Sequence, residues 1–189
     1  MKISDKQLET LLTARSTQAL KSLLAQRNLV PSLAQASKLE KHISTFQQVR
    51  KPVRFGIVHT YTSELLDPWL HFSAALNQLS LDIYHAPYGV TLQEATTNSG
   101  LAEHSPDITL LLLTREDLHP ALQMPPACIN LADKPGIDQQ WQQALNRLIG
   151  RFRDTIAGHI IVTLLPSPAA PGMGLYDGMA ENSETHWWN

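Results

Sequence analysis

The sequence predicts a three-layer α/β/α fold with a mostly parallel sheet, preceded by an N-terminal helical segment. Apolar residues recur at three-and-four spacing through the first fifty positions, which indicates helices, and strand and helix patterns alternate from Val53 onward. The segment DITLLLL at Asp107–Leu113 has no polar alternation, as is typical of a parallel strand covered on both faces. We therefore expect a helical extension at 1–52 and an α/β domain at 53–189.

The helical segment has one apolar face with one break in it. Leucines and alanines between positions 4 and 27 share the helical spacing, but its phase is interrupted near Arg15–Ser16, so one helix or two short ones fit the pattern. The spacing resumes over positions 33–50, and Pro52 marks the end of the segment.

The α/β region begins with a strand, a helix and a second strand, which is the pattern of a βαβ unit. These elements are predicted at Val53–His59, Ser63–Leu79 and Leu81–His85. The apolar strand at Asp107–Leu113 should be central in the sheet because no face of it is polar. The remaining predicted elements are a short fourth strand at ACINLAD (127–133), a helix at 138–157 and a strand at 159–165.

The composition argues against several classes of function. The 189 residues are 43% apolar and 17% charged, and the net charge of -2 is scattered, so neither nucleic acid nor an anionic membrane is expected as a partner. No apolar run approaches the roughly 20 residues that cross a bilayer, and no signal segment is evident, which predicts a cytoplasmic protein. The single cysteine, Cys128, lies in an apolar context that predicts a buried, inert thiol.

The sequence predicts neither a cofactor nor a metal. The glycine-rich stretch PGMGLYDG follows a late strand and lacks the G-x-x-x-x-G-K pattern of a phosphate loop. The histidines also lack the H-x-H or H-x-x-x-H spacing of metal ligands. We therefore expect them to be solvent-exposed residues at the edges of loops.

The turn HTYTS at 59–63 is the first candidate site. It follows the first strand, and sheets of this kind bind ligands beyond the carboxyl ends of their strands. A hydroxyl at such a turn becomes a nucleophile when backbone N–H groups stabilise the oxyanion and a base lies within hydrogen-bond reach. We therefore take Thr62, Thr60 and His59 as candidate catalytic residues. The alternative is that Ser63 or Thr62 only caps the following helix.

Residues after two other strands complete the predicted rim of the site. His85 ends the second strand, and Tyr88 and Gly89 follow it, so these three are candidate substrate-binding residues. Arg115 lies in the sequence TRED after the central strand and is a candidate anchor for a phosphate or carboxylate. The alternative is that TRED begins a short helix.

Several loose motifs, in order, carry a family resemblance over 53–189. The matching residues are Thr60, Tyr61, Thr62, Leu66, the sequence APYG, Gln93, Glu94, Ser99, Leu101, Pro106, Asp107, Pro166 and Gly174. In this order they resemble the N-terminal SGNH-hydrolase-like domain of FkbH-like proteins.

The resemblance implies an SGNH or flavodoxin-like sheet and a HAD-type phosphatase domain that follows it. It also implies a function: assisting transfer of a glyceryl or related acyl unit, from a phosphorylated three-carbon donor, to an acyl carrier protein in polyketide or related secondary metabolism. The implied partners are the carrier protein and the HAD-type domain.

The chain departs from SGNH hydrolases at their catalytic blocks. No Gly-Asp-Ser block, no Gly-x-Asn-Asp block and no late Asp-x-x-His pair is intact, so independent hydrolysis is not expected. Two alternatives stay open: a stand-alone SGNH-type esterase that uses Thr62 or Ser63, and a non-catalytic protein-interaction module. Because the sequence closes on the adjacent aromatics of HWWN, we expect the 53–189 domain to be truncated and the polypeptide to continue past Asn189. The alternative is a terminus whose aromatic residues dock in a groove.

Overall fold

The computed structural model describes residues 2–46, 48–114, 116–124 and 128–164. Within these ranges the chain forms seven α-helices and four strands. They are grouped in two compact units. The first unit contains the residues up to 55 together with 62–85, and the second contains 56–61 and the described residues from 86 onward.

Three helices form the N-terminal part of the first unit. They are α1 (Asp5–Leu11), α2 (Thr17–Gln26) and α3 (Leu33–Ser44). Each begins after a serine whose hydroxyl accepts a backbone N–H of the first turn, namely Ser4, Ser16 and Ser32. The gap between α1 and α2 coincides with the break in phase near Arg15–Ser16, so of the two alternatives, two short helices are confirmed.

The core of the first unit joins these helices to α4 (Asp67–Leu76). Leu11, Leu20, Leu39 and Phe72 are all buried in it. The strand β2 (Leu79–His85) packs against α4. The predicted boundary between a helical extension at 1–52 and a separate domain stays a prediction.

The helix α4 begins at Asp67, four residues later than predicted. A 3₁₀ turn at Glu64–Leu66 precedes it, and Ser63 occupies the N-cap position of that turn without a capping bond from its side chain. Pro68 lies in the first turn of α4, where a missing backbone N–H leaves no helical bond unmade. The capping role predicted for Ser63 or Thr62 is therefore wrong.

The second unit contains the paired strands β3 (Ile108–Leu113) and β4 (His159–Leu164). They are parallel, in a register that runs from Ile108 opposite His159 to Leu113 opposite Leu164. The strand β1 (Lys51–His59) passes from the first unit into the second.

The described strands form a parallel sheet in the order β2, β1, β3, β4. The predicted three-layer α/β fold is therefore confirmed, and the apolar strand β3 is an interior strand, as its composition predicts. After β1 the chain adds β2 on one side of it and later adds β3 on the other. The carboxyl ends of β1 and β3 consequently mark the point where the strand order reverses, which is where open sheets of this kind bind ligands.

The second unit also contains three helices. They are α5 (Thr91–Glu94), α6 (Gly100–His104) and α7 (Lys134–Thr155). The long helix α7 buries Leu148 and Phe152, two members of its predicted apolar stripe. It begins four residues before the predicted start at 138.

The predicted fourth strand at 127–133 is wrong. Residues Leu131–Asp133 form a 3₁₀ turn, and the Asn130 side chain accepts the backbone N–H of Ala132 at 3.1 Å, a local bond that favours a turn over an extended strand. Cys128 is exposed rather than buried, because no strand carries it into the sheet. Ala127, at the start of the predicted strand, lies outside the described residues.

Candidate functional site

A cavity of about 570 Å³ in the second unit lies at the carboxyl ends of β1 and β3. Its wall there is formed by Thr60, the first residue after β1, and by Leu113, the last residue of β3, with Asp117 and Leu118 from the turn that follows. The backbone N–H of Thr60 donates to the Leu112 carbonyl oxygen at 3.2 Å, which continues the pairing of β1 and β3 by one residue. The sheet itself therefore fixes the position of Thr60.

The hydroxyl of Thr60 is paired with a carboxylate across this wall. Thr60 Oγ1 donates to Asp117 Oδ2 at 2.5 Å. The same oxygen accepts the backbone N–H and the hydroxyl of Thr114, each at 2.7 Å. Because three donors converge on Oδ2, the carboxylate is held in one orientation, and the Thr60 oxygen keeps its lone pairs for other contacts.

The loop after β2 and the helix α5 form a second wall of the cavity. Tyr88, Gly89, Thr91 and Leu92 line it. Gly89 has φ 74°, a left-handed backbone conformation that a side chain disfavours, although a Cβ there would meet nothing within 4 Å. Glycine is therefore favoured at this turn by backbone conformation and not by lack of space.

One stripe of α7 forms the third wall. Ala144, Arg147, Leu148 and Arg151 are spaced at intervals of three and four residues, so they share one face of the helix, and all four line the cavity. Both arginines are exposed. Neither guanidinium forms a hydrogen bond or an ion pair with any residue that the structure describes.

His59 lies buried at the end of β1, with backbone carbonyl oxygens at both ring nitrogens. Nδ1 is 2.7 Å from the carbonyl oxygen of Tyr61, and Nε2 is 2.9 Å from that of Ala86. Carbonyl oxygens only accept, so a neutral imidazole donates to one of them and an imidazolium to both. The ring of Tyr88 meets the imidazole edge to face, with centroids 6.3 Å apart. These contacts suit a ring that holds the loop after β2 against the turn after β1.

Of the seven residues predicted from the sequence, the structure brings three together at the cavity: Thr60, Tyr88 and Gly89. Thr62 and His85 belong to the first unit. Thr62 is exposed, and His85 Nε2 lies 3.0 Å from Asp67 Oδ2. Arg115 lies outside the described residues. The roles predicted for all seven residues stay predictions.

Sequence reasoning missed three charged residues of the cavity, Asp117, Arg147 and Arg151. The TRED sequence that contains Asp117 offers a helix start as an alternative, and neither arginine belongs to a motif that the sequence analysis singled out. The available signal was the stripe that places two arginines four residues apart beside Ala144 and Leu148. No sequence pattern, however, indicates which face of a helix a cavity will meet.

Two absences hold for the part of the chain that the structure describes. No group of three or more His, Cys, Asp or Glu side chains there is arranged to hold a metal ion. No helix there is both long enough and apolar enough to span a bilayer.

Comparison with known proteins supports the fold. No family model matches the chain, and no curated protein is significantly similar to it. Among solved structures, it is similar to the N-terminal part of protein BF1531 from Bacteroides fragilis, which contains a phosphatase domain and was crystallised in complex with Mg. The TM-score is 0.58 at 14% sequence identity, and the match covers 84% of this chain and 40% of that chain. The chain thus spans less than half the length of this structural neighbour.

Proposed function

We propose that the chain is the N-terminal SGNH-hydrolase-like domain of an FkbH-like protein. In this proposal it acts in the cytoplasm and assists transfer of a glyceryl or related acyl unit to an acyl carrier protein, in polyketide or related secondary metabolism. The observation that carries the proposal is the Thr60 hydroxyl, which is bonded to the Asp117 carboxylate inside a cavity at the reversal of strand order. The partners are the carrier protein and a HAD-type phosphatase domain.

The structural neighbour supports the choice of partner domain. That structure is the N-terminal part of protein BF1531 and contains a phosphatase domain. A glyceryl unit carried on a phosphorylated donor requires phosphate chemistry that this chain does not encode, since it has no Asp-x-Asp-x-Thr motif. We therefore assign the phosphoryl step to the HAD-type domain and the acyl step to the cavity.

The acyl step uses Thr60 as nucleophile and Asp117 as the group that orients it and takes its proton. The Thr60 oxygen bonds to the acyl carbonyl carbon as its proton passes to Asp117. The bond from that carbon to the leaving group breaks, and its electron pair departs with the leaving group. The carrier thiol, having lost its proton to solvent, attacks the Thr60 ester as a thiolate. The bond from the carbonyl carbon to the Thr60 oxygen breaks, and that oxygen takes back the proton from Asp117 as the thioester forms.

The proposal is tested by mass spectrometry of the carrier protein. The full natural polypeptide, a phosphorylated three-carbon donor and an acyl carrier protein are incubated, and the carrier gains the mass of the acyl unit. Thr60→Val should abolish this gain because the nucleophile is lost. Thr62→Val, a change of the same chemistry at an exposed position outside the cavity lining, should leave transfer intact. Transfer that survives Thr60→Val but not Thr62→Val would return the nucleophile to Thr62.

Ester hydrolysis by a stand-alone SGNH-type esterase is the second candidate function. The same Thr60–Asp117 pair favours it, because a carboxylate that accepts a hydrogen bond from a hydroxyl is placed to take its proton as a general base. This candidate predicts turnover of a small activated ester by the purified chain, lost in Thr60→Val. Absence of turnover at high enzyme concentration would remove it and leave the transfer proposal standing.

A further inference from the structure

We propose that the outer surface of α3, in the first unit, docks an acidic segment of a partner protein. Arg15, Lys38, Lys41 and His71 form a basic row on this surface, and a hollow between α3 and α4 adjoins it. None of the four residues lines the cavity of the second unit. The inference therefore goes beyond the proposed function and depends on no residue of that cavity.

The small net charge of the chain conceals an uneven distribution along the sequence. Residues 1–55 contain ten Lys or Arg and three Asp or Glu, a net charge of +7. Residues 56–189 contain five Lys or Arg and fourteen Asp or Glu, a net charge of -9. Because charge of one sign attracts partners of the other, an acidic partner would bind the part of the chain that contains α1, α2 and α3.

Contacts of α3 place three of the basic residues side by side. Lys38 and Lys41 are exposed and three residues apart, so they are neighbours on the stripe opposite the buried residues of the helix. His42 Nε2 lies 2.8 Å from the Ala14 carbonyl oxygen. Arg15, the next residue along the chain, therefore flanks α3 at the level of these lysines.

A hollow of about 370 Å³ lies on the other flank, between α3 and α4. Its lining consists of Ser37, Glu40, Lys41, Asp67, Pro68 and His71. Because Lys41 and His71 share this lining, the exposed imidazole of His71 continues the basic row across α3. The hollow also leaves room for a side chain of a partner.

The two carboxylates of the hollow already have partners. Glu40 Oε1 lies 3.5 Å from Arg50 Nη1, and Asp67 Oδ2 lies 3.0 Å from His85 Nε2. The side chains of the basic row, in contrast, form no hydrogen bond or ion pair with any residue that the structure describes. The row therefore presents donors that a partner's carboxylates would satisfy.

The charge distribution favours a protein over a nucleic acid or a membrane as the partner. Duplex RNA and an anionic bilayer carry negative charge over an area much larger than this row, so the net charge of -9 on residues 56–189 opposes their approach. An acidic protein segment contacts one helix and its flanking groove alone, and it has side chains that fit a hollow.

The basic row is tested by fluorescence anisotropy of the full chain with a fluorescein-labelled peptide in which glutamates flank one leucine. The triple change Arg15→Gln, Lys38→Gln and Lys41→Gln should weaken binding about tenfold or more at low salt, because three charge-assisted contacts are lost. Binding of equal strength in this variant and the wild type would overturn the proposal.

The matched control removes the same charge elsewhere in residues 1–55. Lys6→Gln, Arg27→Gln and Lys51→Gln change three exposed residues that do not line the hollow. This variant should weaken binding by less than about threefold, because only the long-range attraction falls. A loss as large as that of the first variant would show that binding follows net charge and not this surface, which also overturns the proposal.

The hollow is tested by replacing the leucine of the peptide with alanine. The wild type should prefer the leucine peptide by about threefold or more, since its side chain is buried in the hollow. Ser37→Phe would fill the hollow without changing charge and should abolish the preference, whereas Ser22→Phe, at an exposed serine of α2, should preserve it. No preference in the wild type, or one that persists in Ser37→Phe, would overturn the role of the hollow.

The class of partner is tested with duplex RNA and with phosphatidylserine vesicles, using the same variants. The glutamate peptide should bind the wild type more tightly than either. If RNA or vesicles bind more tightly and lose affinity in the triple variant of the row, the assignment of a protein partner is overturned. Circular dichroism spectra identical to wild type confirm that each variant is folded before any result is read.

Discussion

Thr109 offers a direct test of how the interior of β3 is packed. Its side chain is 0% exposed, and its hydroxyl oxygen has no hydrogen-bond partner among the described residues. Burying a hydroxyl without a hydrogen-bond partner costs about 1–3 kcal/mol, because its hydrogen bonds to water are lost. A methyl group has nearly the same size and forms no hydrogen bonds to water, so its burial carries no such penalty. Thr109→Val should therefore raise the free energy of unfolding by about 1–2 kcal/mol, with little change in packing.

Urea denaturation is the assay, followed by the far-ultraviolet circular dichroism signal. The midpoint should rise while the slope stays constant, which indicates a change in stability rather than in the surface exposed. At about 2–4 °C per kcal/mol for a chain of this size, the thermal midpoint should rise by about 2–8 °C.

The control is another buried threonine that does have a partner. Thr17 is 5% exposed, and its hydroxyl lies 3.3 Å from the side-chain oxygen of Gln48. Thr17→Val should lower stability by about 0.5–1.5 kcal/mol, because that bond is lost and the Gln48 oxygen loses a donor. If Thr109→Val were neutral or destabilising while Thr17→Val behaved as expected, the Thr109 hydroxyl would have to be satisfied in the folded protein, and the reasoning would be refuted.

Two further predictions concern backbone packing and a buried charge. A Cβ at Gly158 would lie 2.2 Å from the carbonyl oxygen of Pro106, so Gly158→Ala should lower the free energy of unfolding by about 3 kcal/mol or more. A Cβ at Gly150 would meet nothing within 4 Å, so Gly150→Ala should raise the free energy of unfolding by about 0.5–1 kcal/mol. Similar urea midpoints for the two variants would contradict this. Burial lowers the pKa of Lys134 below its usual 10.5, and the negative charge of Asp138 partly offsets this shift. The unfolded chain therefore binds this proton more tightly than the folded protein does. The free energy of unfolding should rise as pH increases from the lowered pKa towards 10.5. Lys134→Met should flatten this rise in urea midpoints as the pH approaches 10.5 from below, and an unchanged slope would show that another group causes it.

Much of the fold could be predicted from local patterns in the sequence. The break in phase near Arg15–Ser16 marks the gap between two helices because Ser16 caps the second one, a contact within three residues. The apolar run that becomes β3 needs burial on both faces, so its interior place in the sheet follows from composition alone. The predicted strand at 127–133 was wrong because an equally apolar segment formed a local turn, and short apolar runs do not distinguish the two.

The candidate site could be predicted from the sequence only in part. The rule that parallel sheets bind ligands at the carboxyl ends of their strands located Thr60, Tyr88 and Gly89, since strand ends can be read from a sequence. The same rule could not rank Thr60 above Thr62. That choice depends on the direction in which each hydroxyl points after the strand ends, which the turn decides.

The sequence by itself determined the places along the chain of the four strands and the longer helices, and the polar turns at the strand ends, because periodicity, capping and turn chemistry act over a few residues. Only the tertiary structure decided which of those polar groups meet. The Thr60 hydroxyl donates a hydrogen bond to Asp117, which is 57 positions away in the sequence. The arginines of α7 line the same cavity as these two residues. Such contacts arise when strands pair and a helix packs against the sheet. Their energies depend on distances in space, for which spacing along the chain carries no information.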